Sequence, residues 1–289
     1  MHASELNCSE QTWTLGHHDR FVRSWLAPDS PSSSLQREIV MGVVHGLGDH
    51  SGRFDETGRW FASRGVHVYA YDQCGHGKTP GRRMLIPSYE SLLQDIDSFL
   101  SRLRELHRDA SVGFLGPSMG GNLVLNHQLR GYSPMDWVVA ASPMLRAVNP
   151  PGPIRLALLR LLSHLTPDRL LDKPVDPADI SRDPEKQREF LDDPLVQQQV
   201  SLRLGRDLID SGRWAIEHAT ALSTPTLVPH GDADVITCHR ASVEFVENSH
   251  GRASMQIWPD GAHDLHQDIQ REAYLQSLLD WINAQVADR

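Results

Sequence analysis

The sequence predicts an α/β architecture: a mostly parallel central sheet flanked by helices and interrupted once by a helical insertion. Three observations predict it. Through residues 1–142, short apolar runs rich in β-branched residues alternate with helix-length amphipathic segments, the rhythm of right-handed crossovers between parallel strands. That rhythm stops for about eighty residues, from Pro143 to Thr224, in a stretch rich in Pro, Asp, Arg and Leu, and then resumes. At one strand-to-helix junction, "FLGPSMGGNL" sets a lone serine, Ser118, between glycines.

Taken in order, "TWTL" and "RFVRSWLAP" read as short N-terminal strands, followed by a Pro- and Ser-rich loop, "APDSPSSS". "REIVMGVVHG" is apolar at successive positions, as in a strand buried on both faces. "RFDETGRWFASRG" has helical spacing and ends at Gly65, a C-terminal cap. "VHVYAYD" is the next strand. "SYESLLQDIDSFLSRLREL" is an amphipathic helix with Leu92, Ile96, Phe99, Leu100 and Leu103 on one side. The strand "SVGFLG" leads into the serine turn, "GNLVLNHQLRG" continues as helix, and "MDWVVAAS" is the sixth strand. Beyond the interruption come the strand "PTLVPHGDAD", a helix through "CHRASVEFVENS", the strand "SMQIWPDGAH" and a closing helix, "LHQDIQREAYLQSLLDWINAQV". The expected division is a core of residues 1–142 and 225–289, with a helical cap, 143–224, over the carboxyl ends of the strands. Open α/β sheets bind their ligands there.

Composition narrows the class. The chain of 289 residues is 39% hydrophobic and 22% charged, with a net charge of −9, which argues against a nucleic-acid partner. The start, "MHASELNCSE", has no basic region followed by an apolar core, so no secretory signal is expected. No apolar run approaches the ~18 residues of a membrane span. Cys8, Cys74 and Cys238 are far apart and lack paired metal spacing. A cytoplasmic protein without metal or organic cofactor is the expectation. "GHHDR" (His17, His18) reads as a surface turn, and "CGHGKTPG" lacks the residue order of a phosphate loop.

A Gly-x-Ser-x-Gly match is weak alone, but here a strand precedes it and a helix follows. Such a turn strains the serine's backbone and aims a positive helix end at it, as a nucleophile requires. A serine hydroxyl needs an adjacent base, itself held by a carboxylate. The loop "GDADV" offers Asp232 and Asp234, and the loop "PDGAHDLH" offers His263 and His266. His266 falls at the closing helix with a solvent-facing role expected, so His263 is the better base. For the oxyanion, the backbone N–H of Met119 and that of Leu47, flanked by glycines in "HGLGDHSGRF", are the candidate donors.

"HGLGDHSGRF", "YDQCGHGKTPG", "GPSMGGNL", "HGDADVIT" and "DGAHDLHQD" stand in an order and spacing that resembles the monoacylglycerol lipase and lysophospholipase branch of the α/β-hydrolases. The resemblance spans nearly the whole chain except the insertion, where "DDPLV" and helical character are shared. It implies an α/β-hydrolase fold with Ser118 as nucleophile, Asp234 rather than Asp232 as acid, His263 as base, and Leu47 and Met119 as oxyanion amides. It also implies a serine esterase acting on a small lipid ester, most directly a monoacylglycerol. Lysophospholipid or broad carboxylic ester hydrolysis, a small amide substrate and a catalytically silent binding protein remain as alternatives. One residue departs from the family pattern: Pro117 replaces the usual histidine before the nucleophile. Proline pushes Gly116 towards the extended region, which a strand end requires, so the turn is expected to survive.

Within the insertion, "IRLALLRLLSHL" places Ile154, Ala157, Leu158, Leu161, Leu162 and Leu165 on one stripe, expected to pack the helix down. Leu156 and Leu159 then fall on the other face. The candidate acyl-chain contacts are Leu156, Leu158, Leu159 and Leu162, and the resemblance implies a transient membrane-surface contact through this cap.

Overall fold

Strands apolar at every position must be covered on both faces, and this pattern decides which strands hold the centre of the sheet. The computed structural model describes residues 8–28 and 37–287. Most of the expected Pro/Ser loop, residues 29–34, lies outside them, as do the first seven residues of the chain. Strands β3 (Ile39–Val44), β5 (Ser111–Pro117) and β6 (Val138–Ala141) are buried at every position. Around them runs an eight-stranded sheet, ordered β1 (Cys8–Leu15), β2 (His18–Trp25), β4 (Val66–Tyr71), β3, β5, β6, β9 (Thr226–Gly231) and β10 (Ala253–Trp258). The β1–β2 hairpin pairs antiparallel, turning at Gly16 and His17, and β2 meets β4 antiparallel. Pairing from β4 to β10 is parallel.

Helices cover both faces. On one side lie α2 (Tyr89–Leu106), α3 (Met119–Leu129) and α8 (His239–Asn248), packed over Phe99, Phe114 and Val124. On the other lie α1 (Asp55–Ala62) and α9 (Arg271–Ala287), packed over Trp25, Phe61 and Trp137. The predicted stripe of α2 is buried throughout, and Ser88 starts that helix with a reciprocal capping box through Ser91. Because β4 and β5 lie on opposite sides of β3, the chain changes direction at β3. The crevice at the carboxyl ends of β3 and β5 is therefore the place for a ligand.

Between β6 and β9 come α4 (Pro153–Leu165), β7 (Leu170–Asp172), α5 (Pro177–Ile180), α6 (Pro184–Asp192), β8 (Gln199–Ser201) and α7 (Leu202–Glu217). The antiparallel β7–β8 ribbon corrects the expectation of a purely helical cap. Three residues per strand are too few to show a period of two. The packing of α4 is also the reverse of the expected one. Ile154, Leu158, Leu161 and Leu165 are exposed, at 84, 52, 57 and 68%, whereas Ser163 is buried and Leu156 and Leu159 are half-buried. Polar contacts set this rotation: Arg160 pairs with Asp210 of α7, and Arg206 of α7 donates to Ser163 Oγ at 3.3 Å.

One close approach fixes how α3 meets the sheet. A Cβ on Gly120 would lie 1.8 Å from the Val44 carbonyl oxygen at the end of β3. Gly120→Ala is therefore expected to lose stability at or beyond the upper end of the ~1–3 kcal/mol typical of overpacking. Gly152→Ala, with nothing within 4 Å of the added Cβ and no positive φ, should be nearly neutral. Urea unfolding of the two variants checks the contrast.

Candidate active site

Ser118 sits on the turn that the strand and helix demand. Its backbone is at φ 51°, ψ −116°, a region costly for any residue with a Cβ. Three hydrogen bonds hold it there. Its N–H donates to Ala141 O of β6 at 2.9 Å, and its carbonyl accepts from Met144 N at 2.9 Å and Asn122 N at 3.0 Å. Pro117 fits the strand end for a specific reason. Phe114 and Ser118 both donate their N–H towards the β6 side, so the alternation along a strand turns the Pro117 nitrogen the other way. On that side the β3 ladder already ends at Leu115. The missing N–H costs no hydrogen bond.

The other two candidates come from loops after β9 and β10. Asp234 Oδ1 accepts from Ile236 N at 2.7 Å and Thr237 N at 3.0 Å. Its Oδ2 accepts from Thr237 Oγ1 at 2.6 Å and lies 2.7 Å from His263 Nδ1 and 3.1 Å from His230 Nε2. Burial alone would raise the Asp234 pKa, but the His263 charge and the hydrogen bonds outweigh it and hold the group well below the carboxylate range. For His263, burial acts to lower the pKa; the Asp234 charge and hydrogen bond overcome this and leave it raised. Asp232 is exposed and serves instead to join loops, accepting from Asp260 N at 2.7 Å. His230, which also bonds Ser242 Oγ at 2.8 Å, and Thr237 were not singled out by sequence reasoning, although both lie within "HGDADVIT". His266 is buried, contrary to expectation, and stacks on Phe54 at 4.7 Å. It belongs to a 3-10 turn, and the closing helix begins only at Arg271.

Ser118, His263, Leu47 and Met119 open onto one cavity of about 690 Å³. Among the described residues neither the Leu47 nor the Met119 amide donates a hydrogen bond. Ser118 and His263 share the space without a hydrogen bond between them, a contact that commonly tightens once substrate fills a site. Segments of the insertion grip the same loops. Gln197 N donates to Gly48 O at 2.8 Å, and Gly48, at φ +73°, has no room for a Cβ beneath Gln197. Asp264 N donates to Ile180 O at 2.9 Å. One face of α7 walls the cavity through Leu202, Leu208, Ile209 and Ile216. Of the four leucines expected to meet an acyl chain, Leu159 lines the cavity, whereas Leu158 and Leu162 lie on the exposed face of α4 and Leu156 lies outside the lining. The reversed rotation of α4 is the reason.

With this geometry in place, comparison with known proteins identifies the family. The model of the serine aminopeptidase, S33, family of hydrolases matches residues 36–270. The chain belongs to this family. A putative monoglyceride lipase of Schizosaccharomyces pombe is 31% identical over 91% of this chain and 71% of its own length. An abhydrolase-domain-containing protein of Dictyostelium discoideum is 29% identical over 92% of this chain, which spans only 28% of that relative's length. The crystal structure of Paleococcus ferrophilus monoacylglycerol lipase superimposes with a TM-score of 0.82 at 27% identity, covering 92% of this chain and 99% of that one. The fold is the α/β-hydrolase fold, as the resemblance implied.

Two further features of this hydrolase bear on its surface chemistry. Among the described residues no helix is long and apolar enough to cross a membrane. One trio there has metal-ligand spacing, Glu38, His67 and His107, and it lies at the amino ends of β3 and β4, away from the cavity. His67 Nδ1 accepts from Ala27 N at 3.3 Å, so the ring proton sits on Nε2 and points at Glu38, 2.9 Å away. That is a hydrogen-bonded arrangement and a poor fit to a cation.

The charge pairing predicts a titration. The ring of His263, followed by NMR, should titrate above the ordinary value of ~6.5, and its midpoint should fall in Asp234→Asn. Because the folded-state value is raised, the pairing stabilises the protein fully below the unfolded-state value, and the contribution is lost as pH rises through the folded-state one. Wild type and Asp234→Asn should therefore differ in stability less at pH 9 than at pH 6.

Proposed function

We propose that this chain hydrolyses the ester bond of a monoacylglycerol to glycerol and a fatty acid through Ser118, His263 and Asp234. The observation that carries the reading is one of convergence. A strained serine and a histidine held at 2.7 Å by a buried carboxylate open into one cavity of about 690 Å³ with largely apolar walls. From Leu202 to Ile216 the α7 wall extends about 21 Å at 1.5 Å per residue, a length suited to a long acyl chain. The names of the fission-yeast and Paleococcus proteins agree with this reading.

In the proposed reaction Ser118 Oγ attacks the ester carbonyl carbon while His263 Nε2 takes the hydroxyl proton. Asp234 holds the opposite ring nitrogen and offsets the imidazolium charge. The Leu47 and Met119 amides receive the oxyanion. Collapse breaks the bond to the glycerol oxygen, which leaves with the proton from His263. Water then attacks the acyl-serine, its proton passing to His263, and the second collapse frees the fatty acid and restores Ser118. The apolar face that α4 leaves exposed, Ile154, Leu158, Leu161 and Leu165, would rest on a lipid surface and deliver substrate to the cavity.

Alanine at Ser118, Asp234 or His263 should each lower kcat on a monoacylglycerol by at least ~10³-fold in folded protein, and Asp232→Ala should be far milder. Labelling by a fluorophosphonate should disappear in Ser118→Ala. A panel of monoacylglycerol, lysophospholipid, short 4-nitrophenyl ester and aminoacyl anilide reads the substrate class. Turnover of the anilide with the monoacylglycerol untouched would overturn the proposal.

The two faces of α4 separate by assay. Leu159→Asp puts a charge in the cavity wall and should cut long-chain monoacylglycerol hydrolysis tenfold or more, about 1.4 kcal/mol, while sparing a short acetate ester. Leu158→Asp should instead weaken binding to phospholipid vesicles, measured by co-sedimentation.

A further inference from the structure

Asp264 follows His263 directly in the chain and lines the same cavity wall, and the proposed reaction does not use its carboxylate. Its main chain is fixed: the N–H donates to Ile180 O at 2.9 Å and the carbonyl accepts from Gln267 N at 2.8 Å. The residue is 9% exposed and lines the same cavity as Ser118 and His263, and among the described residues its carboxylate oxygens accept no hydrogen bond. Neither oxygen is sealed from the cavity space, yet a carboxylate so enclosed is costlier to charge than one in open water. Here it faces a defined set of charges. His263 is its chain neighbour, and Asp234 comes from the loop after β9. Asp49 and Arg53 come from the segment after β3, Lys173 from the insertion, and Tyr274 from α9.

We propose that Asp264 is a positioning residue acting through His263: a second carboxylate whose charge, added to that of Asp234, supports the imidazolium formed as Ser118 attacks. The inference rests on the reading of Ser118 and His263 as nucleophile and base. Supporting it, burial raises the Asp264 pKa to about 6, with the His263 charge opposing and the Asp49 charge adding to the rise. Asp264 in turn contributes to raising the pKa of His263. The two groups thus exchange charge across the range in which the base must become neutral. Asp264 is ionised at neutral and alkaline pH, when the base works, and loses its charge below about 6.

The sign of the effect separates this role from simple packing. Removing the Asp264 charge makes the imidazolium less stable, so His263 stays neutral to lower pH and the acid limb of activity moves down. The same loss leaves the imidazolium of the transition state less supported, so the plateau rate falls. A residue that only packs lowers the plateau and leaves the limb in place.

The experiment compares wild type, Asp264→Asn and Asp264→Glu for kcat/KM on 4-nitrophenyl butyrate and for the rate of Ser118 labelling by a fluorophosphonate, from pH 5 to 9. Neither probe depends on the head group of the lipid. In Asp264→Asn the acid limb should shift down by about 0.5–1 pH unit and the plateau should fall two- to tenfold. Asp264→Glu should restore the position of the limb. An unmoved limb in folded Asp264→Asn overturns the proposal. If the asparagine variant does not fold, NMR of the wild-type His263 ring decides: two titration steps, one near pH 6, support it, and a single step overturns it. Hydrolysis of the 4-nitrophenyl ester without hydrolysis of monoacylglycerol would defeat the lipid reading and leave the Asp264 test intact. Absence of Ser118 labelling in wild type would defeat the nucleophile reading.

Discussion

The Asp234 carboxylate is the group on which the rest of the site depends. A buried anion survives only when its lone pairs are met, and here five groups converge on two oxygens. Two backbone amides and the Thr237 hydroxyl belong to the loop that carries Asp234, so they hold the carboxylate independently of either histidine. So held, it orients His263, which comes from the loop after the next strand, at the edge of the sheet. The two strands pair in register from Thr226–Ala253 to Gly231–Trp258, so both loops leave at the same level. His230 approaches from within β9 and shares Oδ2 with His263. That sharing is tolerable because Ser242 Oγ occupies the other nitrogen of His230.

Ser118 is held by a different economy. Its unfavourable backbone angles are sustained by bonds to three separate elements, through Ala141, Met144 and Asn122. Asn122 extends the restraint outward, since its side chain accepts from Tyr89 of α2 at 2.6 Å and from Ser211 of α7 at 3.0 Å. The proposed nucleophile is thus tied to a helix of the core and to a helix of the insertion at once. Proline at 117 is compatible with all of this because the sheet has already stopped using the β3 side of the strand at that level.

Much of this was legible in the sequence because it is local. Period, strand length and turn chemistry are properties of neighbouring residues, and they place β3 to β6, α2 and the Ser118 turn. The separation of Asp234 from Asp232 rested on resemblance, and the structure supplies its physical content: one carboxylate is buried on a histidine and the other is exposed and bonded to a neighbouring loop. What escaped was non-local. Whether the apolar stripe of α4 faces in or out depends on Asp210 and Arg206, some fifty residues away, and periodicity alone has no sign. His266 faces the core because a 3-10 turn stands where the sequence reads as helix, and that boundary moves the side chain from surface to core. The ribbon of β7 and β8 is too short to leave a pattern.

The insertion is best understood as part of the site and not as a cover placed over it. Its backbone bonds to Gly48, His263 and Asp264, through Gln197, Asp179 and Ile180, reach both loops on which the proposed chemistry relies. Side-chain contacts repeat the connection at its rim, with Arg182 on the buried Asp268 and His50 on Asp193. A shift of α5 or of the 193–198 segment therefore cannot leave the Leu47 loop or the His263 loop where they stand. Yet α4, which carries the exposed apolar face, touches the rest mainly through α7. The part of the insertion that bonds to the site loops and the part that carries the exposed apolar face are thus separate segments of chain. One segment bonds to the loops of the proposed site, and the other presents apolar side chains to solvent.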